Sequence, residues 1–259
     1  MLRSIKALHG YTVLAKDGEI GKVHDFYFHD DTWVIRYLVV DTGQWLPGRQ
    51  VLLTTGALGR PNWEELTFPV ALTRQQVEKS PEVDADEPVS RQQEMDLHNY
   101  YGWPFYWVEP ATGTWPPYVA PLPAPVPAEP SVSARKEHAD PHLRSQKEVT
   151  GYHIHASDGE LGHVEDFIAD DALWVIRYMV VRAGKWPPAK KVLIAPQWLG
   201  EIHYAEREVN VSLTREKILN CPEFDPSAAV NREYEERLYD YYGRPIYWAE
   251  SKRAVKQTG

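Results

Sequence analysis

The chain contains one long stretch of itself twice. From Gly10 it reads GYTVLAKDGEIGKVHDFYFHDDTWVIRYLVV, and from Gly151 it reads GYHIHASDGELGHVEDFIADDALWVIRYMVV, at a constant offset of 141 residues with no gap. The same offset runs through LTR at Leu72 and Leu213, then Pro81 and Pro222, to YYGWPFYW at Tyr100 and YYGRPIYW at Tyr241. About 43 of the 98 positions from Gly10 to Trp107 are identical to their counterparts. A copy of this length exceeds the roughly 20–50-residue period of a solenoid and can bury a core of its own. The duplication therefore predicts two domains, 1–108 and 149–259, docked as an intramolecular pseudo-dimer.

Between the copies, residues 109–148 hold nine prolines, including the run WPPYVAPLPAPVPAEP. Such a composition builds no core and favours polyproline geometry, so this segment is read as a linker. At about 3.1 Å per residue it is long enough to leave the docking of the domains unrestricted. The remainder of the chain is suited to folding: 43% of residues are apolar and 12% aromatic.

Several function classes are disfavoured before any motif is considered. The net charge is −9, with 10 basic against 15 acidic residues in 1–108 and 14 against 17 in 149–259. A nucleic-acid partner requires a basic face to neutralise phosphates, so none is expected. The lone Cys221 closes no intramolecular disulfide, which fits a cytoplasmic protein. The longest apolar runs, Val34 to Val40 and Val192 to Pro196, fall far short of the roughly 20 residues of a spanning helix, so no membrane span is expected. The opening MLRSIKALHG lacks the apolar core of a secretory signal and reads as mature protein.

Within a copy the first half has strand character. Tyr11 to Lys16 and Glu19 to Phe28 flank Asp17-Gly18, a strong hairpin signal, and Trp33 to Val40 follows a turn at His29 to Thr32. Gln50 to Thr55 and Trp63 to Leu72 supply further strands, the latter at an edge or bulge because of Pro69. Gly21 and Gly162 suit a bulge or sharp bend. In the second half Thr73 and Thr214 cap a short helix, Ser90 with Gln93 forms a capping box, Asn231 takes that place in the second copy, and Gly102 and Gly243 end the helix. The fold class expected is mainly β with short helices: two tandem small antiparallel β-barrels, each followed by two short α-helices.

The DGEIG hairpin, the WVIRYLVVDTGQWLPGRQVLL run and the SRQQEMDLHNYYGWPFYW tail resemble the PRC-barrel, the small β-barrel of the photosynthetic reaction centre H subunit and its soluble relatives. The resemblance covers nearly all of both copies. It implies a barrel fold and leaves the role open, since the family also includes a ribosome maturation factor. The N-terminal membrane helix of the H subunit has no counterpart in this sequence.

Two groups of residues stand out as sites. Arg36 and Arg177 lie mid-strand among apolar neighbours. A turn centred on Asp30-Asp31 would set Arg36 opposite Asp25, and by the offset Arg177 opposite Asp166, as structural cross-strand ion pairs. The aromatic tails supply Tyr100, Tyr101, Trp103 and Trp107 in the first copy and Tyr241, Tyr242 and Trp248 in the second, with Trp45 and Trp186 ahead of Pro-bearing loops. Aromatics at such spacing more often pack than bind, yet Tyr and Trp dominate interaction hot spots, so these nine are the candidates for contacting a partner.

No histidine recurs between the copies, and Cys221 aligns with Ser80. No metal site, cofactor or catalytic residue is therefore expected, and no phosphate loop or nucleophile elbow is found. The leading functional expectation is a soluble, non-enzymatic interaction or assembly module for a protein partner. The alternatives are a quinone-type small-molecule sensor at the inter-barrel crevice, a reaction-centre-associated electron-transfer accessory and a ribosome or RNA-processing accessory.

Overall fold

The computed structural model describes residues 1–83, 89–107, 142–184 and 190–248. The fold is mainly β with a few short helices, and its strands form a large mixed sheet. In chain order the elements are β1 (Leu2–Ser4), β2 (Thr12–Ala15), β3 (Gly18–His29), β4 (Val34–Asp41), β5 (Gln50–Thr54), β6 (Thr67–Pro69), α1 (Arg74–Glu78) and α2 (Arg91–Tyr101). The second copy supplies β7 (Leu143–Ser145), α3 (Gln146–Val149), β8 (His153–Ala156), β9 (Gly159–Asp170), β10 (Val175–Ala183) and β11 (Lys190–Ile194). It continues with β12 (Leu199–His203), β13 (Glu208–Val211), α4 (Arg215–Leu219) and α5 (Arg232–Tyr242).

These elements cluster into two compact units that cut across the repeat. One unit comprises Met1–His9, Asp25–Tyr37 and Arg144–Gly259; the other comprises Gly10–His24 and Leu38–Leu143. In the first unit β8, β9 and β10 form an antiparallel run, β11 pairs with β10, β13 lies parallel to β8, and β12 pairs with β13. In the second, β2 pairs antiparallel with the start of β3 and parallel with β6. The parallel β13–β8 and β2–β6 ladders correct the expectation of purely antiparallel barrels. In neither unit does the ladder close among the described residues, because β12 and β6 each end the strand order.

The bends fall where the glycines allow them. A Cβ on Gly21 would lie 2.1 Å from the Asp41 carbonyl oxygen, and one on Gly162 would lie 1.9 Å from that of Arg182, so only glycine lets the backbones approach there. The β2–β3 register shifts between Val13 and Leu14, and the β8–β9 register shifts between Ile154 and His155, each beside its glycine.

The helices start and stop for local reasons. Thr73 with Gln76 and Ser90 with Gln93 each close a reciprocal capping box, Thr214 and Asn231 accept from the third helical N–H, and Gly102 and Gly243 end α2 and α5 in the left-handed conformation. The core of the first unit holds Phe26, Phe28, Ile35, Phe167, Tyr178 and Val181, all fully buried. Each such side chain contributes on the order of 1.5–3 kcal/mol by leaving water.

Candidate interaction surface

The aromatic tails are clamped to their own helices by a buried carboxylate. In the second unit Glu94, on the first turn of α2 and 0% exposed, accepts from the Arg91 guanidinium at 3.1 Å and from the Tyr106 hydroxyl at 2.7 Å. In the first unit Glu235 on α5, 2% exposed, accepts from Arg232 at 3.0 Å, Tyr247 at 2.9 Å and Tyr178 at 2.7 Å. Each arginine also covers the tryptophan that ends its tail: Arg91 lies 4.2 Å from the Trp107 ring centre and Arg232 lies 3.9 Å from that of Trp248. Burial and Glu235 together push the Tyr247 hydroxyl up to about 12.

The middle of each tail is filled differently. His98 sits among Trp103, Phe105, Tyr106 and Trp107, with Nδ1 at 2.8 Å from the Pro104 carbonyl oxygen, and burial lowers its pKa to about 4. Tyr239, at the equivalent position, accepts from the Gln197 amide at 2.7 Å and packs against Trp198 and Trp248.

Of the nine aromatic candidates, Tyr100 and Tyr241 are exposed, at 40% and 37%. Their hydroxyls donate to the carbonyl oxygens of Gln76 and Lys217 respectively, which ties each tail to the preceding helix. Tyr101 and Trp103 stack on one another at 4.1 Å and are half-buried, as are Trp107 and Trp248. Tyr242 is buried against Trp198. Trp45 is half-buried beneath the Arg74 guanidinium, at 4.7 Å. Trp186 lies outside the described residues.

The first unit holds a reciprocal exchange between the two copies. β1 pairs with β9, and β7 pairs with β3. The Asp166 carboxylate accepts from the Ser4 hydroxyl, from the Lys6 backbone N–H at 3.0 Å and from its neighbour Phe167 N–H at 2.7 Å. Asp25 accepts in the same way from the Ser145 hydroxyl, the Lys147 N–H at 3.1 Å and the Phe26 N–H at 2.7 Å. Ser4 and Ser145, Lys6 and Lys147, and Asp25 and Asp166 all stand at the repeat offset. Burial raises both carboxyl pKa values despite the donors and the nearby lysines.

In the second copy this arrangement replaces the expected pairing of Asp166 with Arg177. Asp25 and Asp166 spend their acceptors on the other copy's N-terminal segment, and in the β9–β10 ladder Asp166 faces Val180 instead of Arg177. The register differs because the turn runs to Trp174, which takes a left-handed conformation, and because the ladder slips between Ile176 and Tyr178. The unusual backbone has a clear use. Trp33 and Trp174 have φ of 58° and 52°, and each presents its carbonyl to the other copy: Ile176 N–H donates to Trp33 at 2.8 Å and Ile35 N–H donates to Trp174 at 2.7 Å. Between these bonds the equivalent residues Val34 and Val175 face one another.

Around Trp33 this junction opens two adjoining hollows, of about 290 and 250 Å³, that share Asp31, Trp33 and Pro196. Arg177, Gln197 and Tyr247 line the larger; Leu199, Ile202 and Tyr204 line the smaller. Arg144 packs its guanidinium 3.7 Å from the Tyr204 ring centre and pairs with Asp30 at 3.1 Å. His29, Asp30 and Asp31 bring potential ligand atoms within 4.8 Å of one another on this turn, although Asp30 is engaged by Arg144.

Sequence reasoning missed the exchange and the clamp. Carrying the offset back past Gly10 aligns Leu2-Arg3-Ser4-x-Lys6 with Leu143-Arg144-Ser145-x-Lys147, and Arg91 and Glu94 recur as Arg232 and Glu235. Both signals were available in the repeat.

Residues 2–60 match the PRC-barrel domain family. No curated protein matches the chain. Among the described residues no helix is long and apolar enough to cross a membrane.

Proposed function

We propose that this chain is a non-enzymatic interaction or assembly module built from two PRC-barrel-like copies, and that it holds a protein partner on the face around Trp33. One observation supports the reading most: the hollows around Trp33 take their walls from both copies, so the duplication creates a surface that neither copy supplies alone. Half-buried aromatic and aliphatic residues at the centre, with charged groups such as Asp31 and Arg177 at the edge, have the composition of a small recognition site. The match of residues 2–60 to the PRC-barrel domain family is consistent with the same class. The partner-facing role of the tails narrows to the surfaces of Tyr100 and Tyr241, the two exposed rings among the described candidates.

Thr32 is exposed on the rim of the larger hollow, so Thr32→Arg blocks it without touching the core. Affinity capture from the native lysate with wild type and Thr32→Arg provides the test. A specific protein retained by the wild type and lost by a variant of unchanged thermal midpoint is the expected result. The same proteins retained by both, or none by either, would refute the reading.

A further inference from the structure

Arg177 carries a charge that meets no carboxylate among the described residues. It stands at the slip in the β9–β10 ladder, half-buried between the buried Ile176 and Tyr178, and lines the larger hollow. The carboxylate expected to meet it, Asp166, is occupied by Ser4, Lys6 and Phe167. Among the described residues no carboxylate lies within ion-pair distance of Arg177, and its buried Nε makes no hydrogen bond. The Tyr247 ring lies 4.4 Å from its guanidinium carbon. A half-buried guanidinium without a counter-charge is unfavourable, and an incoming anion relieves it.

The cavity beside Arg177 fixes what kind of anion fits. At about 290 Å³ it lies at the lower limit for small-molecule sites, which favours a single ring over a nucleotide or a large cofactor. Trp33, Pro196 and Val175 give it flat apolar walls. The Gln197 amide nitrogen is committed to Tyr239 and donates nothing to the cavity through that bond. Asp31 on the rim repels a second negative charge. Tyr247, the remaining titratable group, stays neutral with its hydroxyl held by Glu235, which Arg232 in turn neutralises.

We propose that this cavity is a binding site for a monoanionic, single-ring aromatic carboxylate, with the carboxylate on Arg177 and the ring against Trp33. The inference goes beyond the interaction reading and does not depend on it.

Titration calorimetry with sodium benzoate and its neutral analogue benzamide tests the assignment on the full chain. The expected result is saturable benzoate binding, weakened about tenfold or more for benzamide and for folded Arg177→Gln, with Arg177→Lys in between. Asp31→Asn provides a second arm that leaves Arg177 in place, and it should bind benzoate more tightly than the wild type. Equal binding of benzoate and benzamide, undiminished binding by folded Arg177→Gln, or an Asp31→Asn affinity no greater than wild type would each overturn the site. Because Thr32→Arg tests the protein partner and Arg177→Gln the small anion, the two proposals can fail separately.

Discussion

His98 and Tyr239 occupy the same place in the two aromatic tails and fill it with different chemistry. His98 is a buried imidazole held neutral, with its polar contact to the Pro104 carbonyl inside its own tail. Tyr239 is a buried phenol whose hydroxyl is met by Gln197, beyond the tail. Around them the Arg–Glu–Tyr–Trp clamp is the same in both copies: Arg91, Glu94, Tyr106 and Trp107, and Arg232, Glu235, Tyr247 and Trp248. The comparison separates what the tail requires from what it tolerates. A buried carboxylate cannot lose one partner without leaving an uncompensated charge, whereas a ring in an aromatic nest can be exchanged if its polar atom finds a new partner.

The largest effect should therefore come from the clamp. Glu94→Ala and Glu235→Ala should each destabilise by about 3–5 kcal/mol, since each removes a buried charged acceptor shared by an arginine and at least one tyrosine hydroxyl. Urea unfolding monitored by tryptophan fluorescence reads this directly. A loss in one copy and none in the other would break the equivalence of the tails.

Next come the exchanged carboxylates. Asp25→Ala and Asp166→Ala each remove the acceptor of a serine hydroxyl and two backbone N–H groups, and about 3 kcal/mol should be lost in each case. Hydrogen exchange should localise the damage: Asp166→Ala frees the amides of Leu2–Ser4 and Lys6, and Asp25→Ala frees those of Arg144, Ser145 and Lys147. Protection unchanged in those segments would contradict the exchange.

A smaller effect depends on pH and belongs to the first tail alone. His98 has its folded pKa lowered from 6.5 to about 4, so the unfolded chain binds the extra proton between those values. Its stabilising contribution is fully present above about pH 6.5, falls as the pH drops toward 4 and levels off below that. The shift sets a ceiling of about 3 kcal/mol, and about 2 kcal/mol is expected because the surrounding rings are only half-buried. His98→Tyr should flatten this part of the stability profile, and Tyr239→His should add a second such window. A wild-type profile flat from pH 6.5 to 4 would show that His98 is not held neutral. The smallest effect is at the surface, where Tyr100→Phe and Tyr241→Phe each remove one hydrogen bond to a helix carbonyl and should cost about 0.5–1 kcal/mol in equilibrium unfolding.

The parts of this fold that depend on local chemistry were legible in the sequence. The hairpin at Asp17-Gly18, the close approaches at Gly21 and Gly162, the caps at Thr73, Ser90, Thr214 and Asn231, and the ends at Gly102 and Gly243 each follow from one or a few neighbouring residues. The non-local features were not. Nothing near Pro69 announces that β6 runs parallel to β2, and a left-handed Trp174 followed by a slip at Arg177 shifts the register away from simple counting. Asp166 looked like the partner of Arg177 because Asp25 and Arg36 recur at the same offset. Apart from the adjacent Phe26 and Phe167 amides, the donors that reach Asp25 and Asp166 lie more than a hundred residues away.

The central claim is that the two copies join through equivalent strands, with Val34 facing Val175. The flanking bonds from Ile35 to Trp174 and from Ile176 to Trp33 make this a non-hydrogen-bonded pair, the closer type of cross-strand pair at about 4.5 Å between Cα atoms and within the range a disulfide spans. Replacing both valines by cysteine, with Cys221→Ser to remove the native thiol, allows the claim to be measured by mass spectrometry under mild oxidation. The structure predicts rapid, near-complete formation of one intramolecular disulfide between positions 34 and 175. Two thiols that stay reduced, or that link only between separate chains, would contradict it.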